Sequence, residues 1–161
     1  AWAYNFWLKA TVVSVVPYAV AFGLLPAFVV AAAPGQPTAP YWLVLSAALL
    51  GSGAHFANSV PDLDDDIATG VRGLPHRIGP GPAAATGAAL LLVATAVLAF
   101  GRPGTPGLIG WLALGLAVPA AAVAAGAGLG RPELRRKAFT GFVVLAALDT
   151  GLLVLGGSSI G

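Results

Sequence analysis

Cysteine and methionine are both absent from this 161-residue chain. Without cysteine there is no disulfide framework and no thiolate metal site. Charge is the next scarcity: 8 Lys and Arg and 6 Asp and Glu make 9% of the residues, against 58% apolar. A soluble domain carries about 25% charged residues, so these few cannot cover a water-facing surface. The same composition excludes disorder, because disordered chains are poor in apolar residues. A basic leader followed by a short apolar core is also lacking, so no signal peptide is expected here. The chain opens on Ala1, with Trp2, Tyr4 and Trp7 close behind. This opening leads us to expect that a natural N-terminal part is missing. Alternating segments of about ten residues, the mark of a membrane β-barrel, do not occur.

What the chain does have is five apolar stretches. They run from about Thr11 to Ala33, Tyr41 to Ala57, Pro82 to Phe100, Gly107 to Gly128 and Ala138 to Gly157. Each has close to the ~17–25 residues that a helix needs to cross a bilayer. Asp149 is the single charge inside them. The 22 Gly and 13 Pro are tolerable in membrane helices. The fold class expected is therefore all-α: a polytopic helical membrane protein with five transmembrane helices.

Five spans make the connectors alternate between sides. The lead, Asn58–Gly81 and Gly130–Lys137 share one side and hold seven of the eight Lys and Arg. The positive-inside rule places that side in the cytoplasm. The bias toward Ala, Gly, Val and Arg suits a GC-rich bacterium, hence the bacterial plasma membrane. Trp2, Trp7, Tyr41, Trp42 and Trp111 lie near span ends and read as an interfacial aromatic belt. The basic Arg131–Lys137 segment suits anionic lipid heads. Membrane lipid is thus one partner, and no nucleic acid is expected.

Chemistry concentrates in Asn58–Gly79. Four of the six acids, Asp62, Asp64, Asp65 and Asp66, fall within five positions. Such a cluster repels itself unless cations join it. Oxygen ligands of this kind suit Mg²⁺ or Ca²⁺. Asn58, Asp62 and Asp66 are four apart and would share one helix face. Pro61 should bend that helix. Asp64 points elsewhere, toward solvent or a cap. A calcium loop needs Gly at position six and Glu at position twelve, where this chain has Ile67 and Gly73, so that reading is rejected. A phosphate site fits better, because Mg²⁺ shares its shell with phosphate oxygens. Arg72 and Arg77 could grip those oxygens by their planar forks. A solvated loop with internal Asp–Arg pairs is the plainer alternative.

Asp62, Asp66, Gly70, Arg72 and Pro75 follow one another as D-x-x-x-D, then Gly, x, Arg, two residues and Pro. This stretch resembles the second aspartate motif of the UbiA-type membrane prenyltransferases. Tyr4–Lys9 and the pattern Val16-Pro17-Tyr18…Phe22-Gly23-Leu-Leu-Pro26 are similar to neighbouring segments of that family. The resemblance implies a bundle of nine membrane helices around a central cavity. This chain would supply its last five helices and the tail of the fourth, residues 1–161 forming the C-terminal part of one domain. The family's first Asn/Asp-rich motif would lie in the missing part, and the isolated chain is expected to be inactive.

The activity implied is Mg²⁺-dependent transfer of a prenyl group from a prenyl diphosphate to an aromatic or quinone-precursor acceptor. The metal acts as Lewis acid on the leaving group, and the cavity keeps water from the allylic cation. By the resemblance, Asp62 and Asp66 are the catalytic, metal-binding pair, with Asn58 added one turn earlier. Arg72, Lys9 and Arg77 are candidates for the diphosphate and Tyr4 for the substrate. His55 and His76 read as hydrogen-bonded structural residues. Asp149, inside a span, reads as function or as protonated packing beside Thr150. Competing functions are a membrane transporter for divalent cations and a noncatalytic half-protein that assembles with another subunit.

Overall fold

The computed structural model describes residues 8–34, 38–104 and 107–157. Tyr4, Trp2 and Trp7 lie outside the described residues, as does the side chain of Lys9. After a single 3-10 turn, Leu8–Ala10, come seven helices: α1 (Val16–Ala32), α2 (Tyr41–Ser59), α3 (Leu63–Ala68), α4 (Leu74–Ile78), α5 (Pro80–Phe100), α6 (Leu108–Gly128) and α7 (Pro132–Gly157). No strand occurs among the described residues. The chain is a helical membrane protein, and its five long helices stand where the five apolar stretches lie.

Their bounds differ from expectation in instructive ways. α1 starts at Val16 rather than near Thr11. The segment before it is a run of turns that leaves Ser14 buried. α7 starts at Pro132 rather than Ala138, so most of the basic connector is helix. Proline suits the first position of a helix and an acid such as Glu133 suits its first turn. Leu, Arg and Lys then continue it. Among the described residues, three helical segments are long and apolar enough to cross a bilayer: α5, α6 and Glu133–Val154 of α7. α1 is apolar but has 17 residues. α2 carries Ser46, Ser52, His55, Asn58 and Ser59 and is less apolar for it.

α5 lies at the centre and packs against α2, α6 and α7, while α1 leans on α2. The core is built largely of alanine. Ala83, Ala84 and Ala88 of α5 meet Ala117, Ala121 and Ala124 of α6, with Phe56 of α2 and Phe142 of α7 filling between. Small residues let membrane helices approach closely, where dispersion between well-fitted surfaces replaces the missing hydrophobic drive. Gly87 shows the fit: a Cβ there would stand 2.8 Å from the Phe56 Cβ and 3.1 Å from the Phe142 ring. Large apolar side chains instead point outward, among them Leu108, Leu112 and Leu116 of α6 and Leu24 and Phe28 of α1. Tyr41 and Trp111 are exposed as a belt requires, but Trp42 is not. It is buried, with the Arg102 guanidinium 5.8 Å from its ring centroid. This is a cation–π contact between the connector after α5 and the first turn of α2.

The other end gathers the remaining basic segments. Arg135 Nη1 donates to Asp64 Oδ2 at 3.0 Å, tying the start of α7 to α3. Leu74 N–H donates to Ser14 Oγ at 3.0 Å, and Arg77 Nη2 donates to the Ala10 carbonyl at 3.3 Å. The turns before α1, the aspartate segment and the start of α7 therefore share one face of the bundle.

Candidate functional site

Pro61 has no amide hydrogen, so the α2 ladder cannot pass through it. α2 ends at Ser59, a turn follows, and α3 begins at Leu63 with Asp62 as its N-cap residue. The expectation that Asn58, Asp62 and Asp66 share one face of one helix is thereby corrected. Asn58 lies in the last turn of one helix, Asp62 precedes the next, and Asp66 lies within it. The break leaves Asn58 between two openings. One is lined by Asn58, Pro61, Asp62 and Phe139. The other, of about 240 Å³, is lined by Tyr18, His55, Asn58, Ser59, Asp66, Val71 and His76. Asp64 is 63% exposed, as its position on the helix led us to expect, and is held by Arg135.

α3 ends by a definite device. Gly70 N–H donates to the Ile67 carbonyl at 3.1 Å, and Val71 N–H donates to the Asp66 carbonyl at 2.9 Å. These are the paired bonds of a Schellman C-cap, which needs a left-handed residue just past the helix. Gly70 supplies it, with φ at 86°. No atom lies within 4 Å of a Cβ built there, so the demand is on backbone angle and not on space. The motif glycine thus turns the chain back on itself, and His76 returns to Asp66.

That return is pinned from behind. Ser14 Oγ takes the Leu74 N–H and lies 3.0 Å from His55 Nε2. The Ser14 hydroxyl thereby joins the start of α4 to the His55 ring of α2. The His55 ring also stacks on Tyr18, with centroids 4.6 Å apart. Arg77 adds a second pin: Nε donates to the Arg72 carbonyl at 2.9 Å and Nη2 to Ala10. The turn that holds Lys9 and the loop that holds Arg72 are therefore one unit. Arg77 spends two of its five donors on backbone, which leaves Nη1 for an anion. Arg72 is exposed.

The two histidines fit the hydrogen-bonded reading and add to it. Both are held by specific partners, yet both line the cleft with Asn58 and Asp66. His76 Nε2 is 2.9 Å from Asp66 Oδ2. Sequence reasoning passed over Ser14 altogether. Nothing local marks it, because its partners lie 41 and 60 residues away.

The donors fit a hard cation in kind: carboxylate and amide oxygens at a partly exposed helix end. Asp66 Oδ1 has no donor among the described residues. No group of three His, Cys, Asp or Glu side chains converges among the described residues. The residues at hand therefore suit part of a coordination shell rather than a whole one.

Asp149 stands far from this end. It is fully buried, and Thr95 Oγ1 donates to its Oδ1 at 2.6 Å across α5 and α7.

Comparison with known proteins follows the same line. The sequence model of the UbiA prenyltransferase family matches residues 1–146. A digeranylgeranylglyceryl phosphate synthase of Methanopyrus kandleri is 39% identical over 97 residues, which are 60% of this chain and 35% of that protein. The match thus spans about a third of the relative's length. No solved structure matches.

Proposed function

The chain belongs to the UbiA prenyltransferase family, and from that premise we propose that it is the C-terminal part of a membrane enzyme. The enzyme transfers a prenyl group from a prenyl diphosphate to a hydrophobic acceptor. One observation carries this reading. Asp62, Asp66 and Asn58 border two clefts at the same end of the bundle as Arg72, Arg77 and the turn that contains Lys9.

Asp62, Asp66 and Asn58 would hold Mg²⁺, which supplies positive charge against the departing diphosphate. Diphosphate oxygens would share that shell. Arg72 offers a full guanidinium fork to the diphosphate. Lys9 adds a second cation, and Arg77 adds the donors that its backbone bonds leave over. Tyr4 contributes to the substrate site. The apolar helices beneath keep water from the reacting carbon. The site faces the cytoplasm across the plasma membrane, with the basic segments on the inner side.

The acceptor is an aromatic ring or quinone precursor. A second reading comes from the Methanopyrus relative, whose name specifies a digeranylgeranylglyceryl phosphate product. An alcohol on a glycerol phosphate is then the acceptor. The test uses the complete protein in lipid nanodiscs, labelled prenyl diphosphates and both acceptor classes. Transfer should require Mg²⁺. Asp62→Asn and Asp66→Asn should each lower it by about 10²–10³-fold, the scale for losing one group that stabilises developing charge, with helix content unchanged. Undiminished turnover in both variants would overturn the site.

A further inference from the structure

His76 stands outside the residues that carry the aspartate motif, yet it is the side chain that holds the motif's second carboxylate. Its ring is 4% exposed and its Nε2 lies 2.9 Å from Asp66 Oδ2. An ionised carboxylate can only accept, so the hydrogen of this bond sits on Nε2. The backbone of Asp66 is fixed separately. Its N–H donates to the Asp62 carbonyl at 2.8 Å, and its carbonyl accepts Val71 N–H at 2.9 Å. What remains free is rotation of the carboxylate, and His76 takes one oxygen of it. No donor among the described residues meets the other oxygen, Oδ1.

The ring itself has little room to move. α4 is set by the Leu74–Ser14 bond and by the burial of Pro75. His76 Nδ1 is buried with no partner among the described residues. A buried polar atom left unpaired costs about 1–3 kcal/mol. Packing alone gives no reason to bear that cost. The bond to Asp66 gives one.

We propose that His76 is a positioning residue: it fixes the Asp66 carboxylate so that Oδ1 is presented to a divalent cation. This rests on the reading of Asp66 as a metal ligand. Partners that orient a metal-binding side chain govern affinity from one shell out, and their loss costs about 10–100-fold in metal binding.

The test measures Mn²⁺ binding by electron paramagnetic resonance, with inorganic pyrophosphate present, in the complete protein in nanodiscs. His76→Leu should weaken Mn²⁺ binding by about 10–100-fold. His76→Gln, which still carries an N–H, should recover most of it. Thermal melting of the Gln variant should match that of the parent. If Asp66→Asn binds Mn²⁺ normally, the metal site itself fails and this proposal with it. If Asp66→Asn loses the ion but His76→Leu retains it, the metal site stands and the positioning role is overturned, whatever the Leu variant does to the melting temperature. Should His76→Leu not fold, ¹⁵N-histidine labelling of the unmodified protein reads the contact directly. The His76 Nε2 resonance should move when Mg²⁺ and pyrophosphate are added, and a fixed resonance would overturn the role.

Discussion

Asp66 and Asp149 each take one hydrogen bond from a neighbouring side chain, and their surroundings are opposite. Asp66 sits at a bundle end, 36% exposed, on His76, with Arg72 and Arg77 on the loop that folds back toward it. Asp149 is fully buried between α5 and α7, reached by the hydroxyl of Thr95, and its Oδ2 has no partner among the described residues. An acid within a membrane bundle invites a functional reading by default. The contrast shows what that default leaves out. A site for a charged substrate needs access from water and cations to receive the charge. Asp66 has both. Asp149 has a single hydroxyl and apolar walls, which suits a polar contact that fixes how two helices pack.

The comparison can be broken or sharpened in steps of decreasing size. Arg72→Ala removes the exposed fork on the loop that follows α3. KM for the prenyl diphosphate should rise about 10–100-fold, matching the ~1.5–3 kcal/mol of a hydrogen bond to a charged group, while kcat changes less. An unchanged KM would remove Arg72 from the site. Thr95→Val leaves the buried Asp149 Oδ1 without its donor. Stability should fall by about 1–3 kcal/mol, seen as a lower midpoint in thermal melting of the detergent-solubilised protein. Prenyl transfer at low temperature should stay within a factor of two. A large loss of transfer would move Asp149 into the function and end the contrast. Asp64→Ala removes an exposed pair with Arg135 that ties α3 to α7. Such pairs contribute at most about 1 kcal/mol, so both melting and transfer should hardly move. A loss of transfer like that of Asp66→Asn would show that the site includes the solvent side of α3.

Much of the fold was legible because membrane helices announce themselves by long apolar runs. The ends of those runs were less so. The charge of Arg131–Lys137 suggests a loop, but its Pro-Glu-Leu-Arg order favours the start of a helix, and α7 begins there. The aspartate segment was read as one bent helix, when Pro61 in fact separates two. That error concealed how Asn58 stands between the openings of Asp62 and Asp66. Gly70 stands in the sequence only as a motif position, and the structure makes it the left-handed cap that reverses α3. Ser14, His55 and His76 could not be assembled from sequence. Their bonds join segments brought together only by the packing of α1, α2 and α4, and no local pattern encodes them.

The measurement that bears most directly on the central claim is binding of a non-reacting prenyl thiolodiphosphate to the complete protein, with and without Mg²⁺. Binding should require Mg²⁺, should be lost in Asp66→Asn, and should be retained in Asp149→Asn. Binding indifferent to Mg²⁺ and to Asp66, or abolished equally by Asp149→Asn, would contradict the placement of the site at the aspartate end.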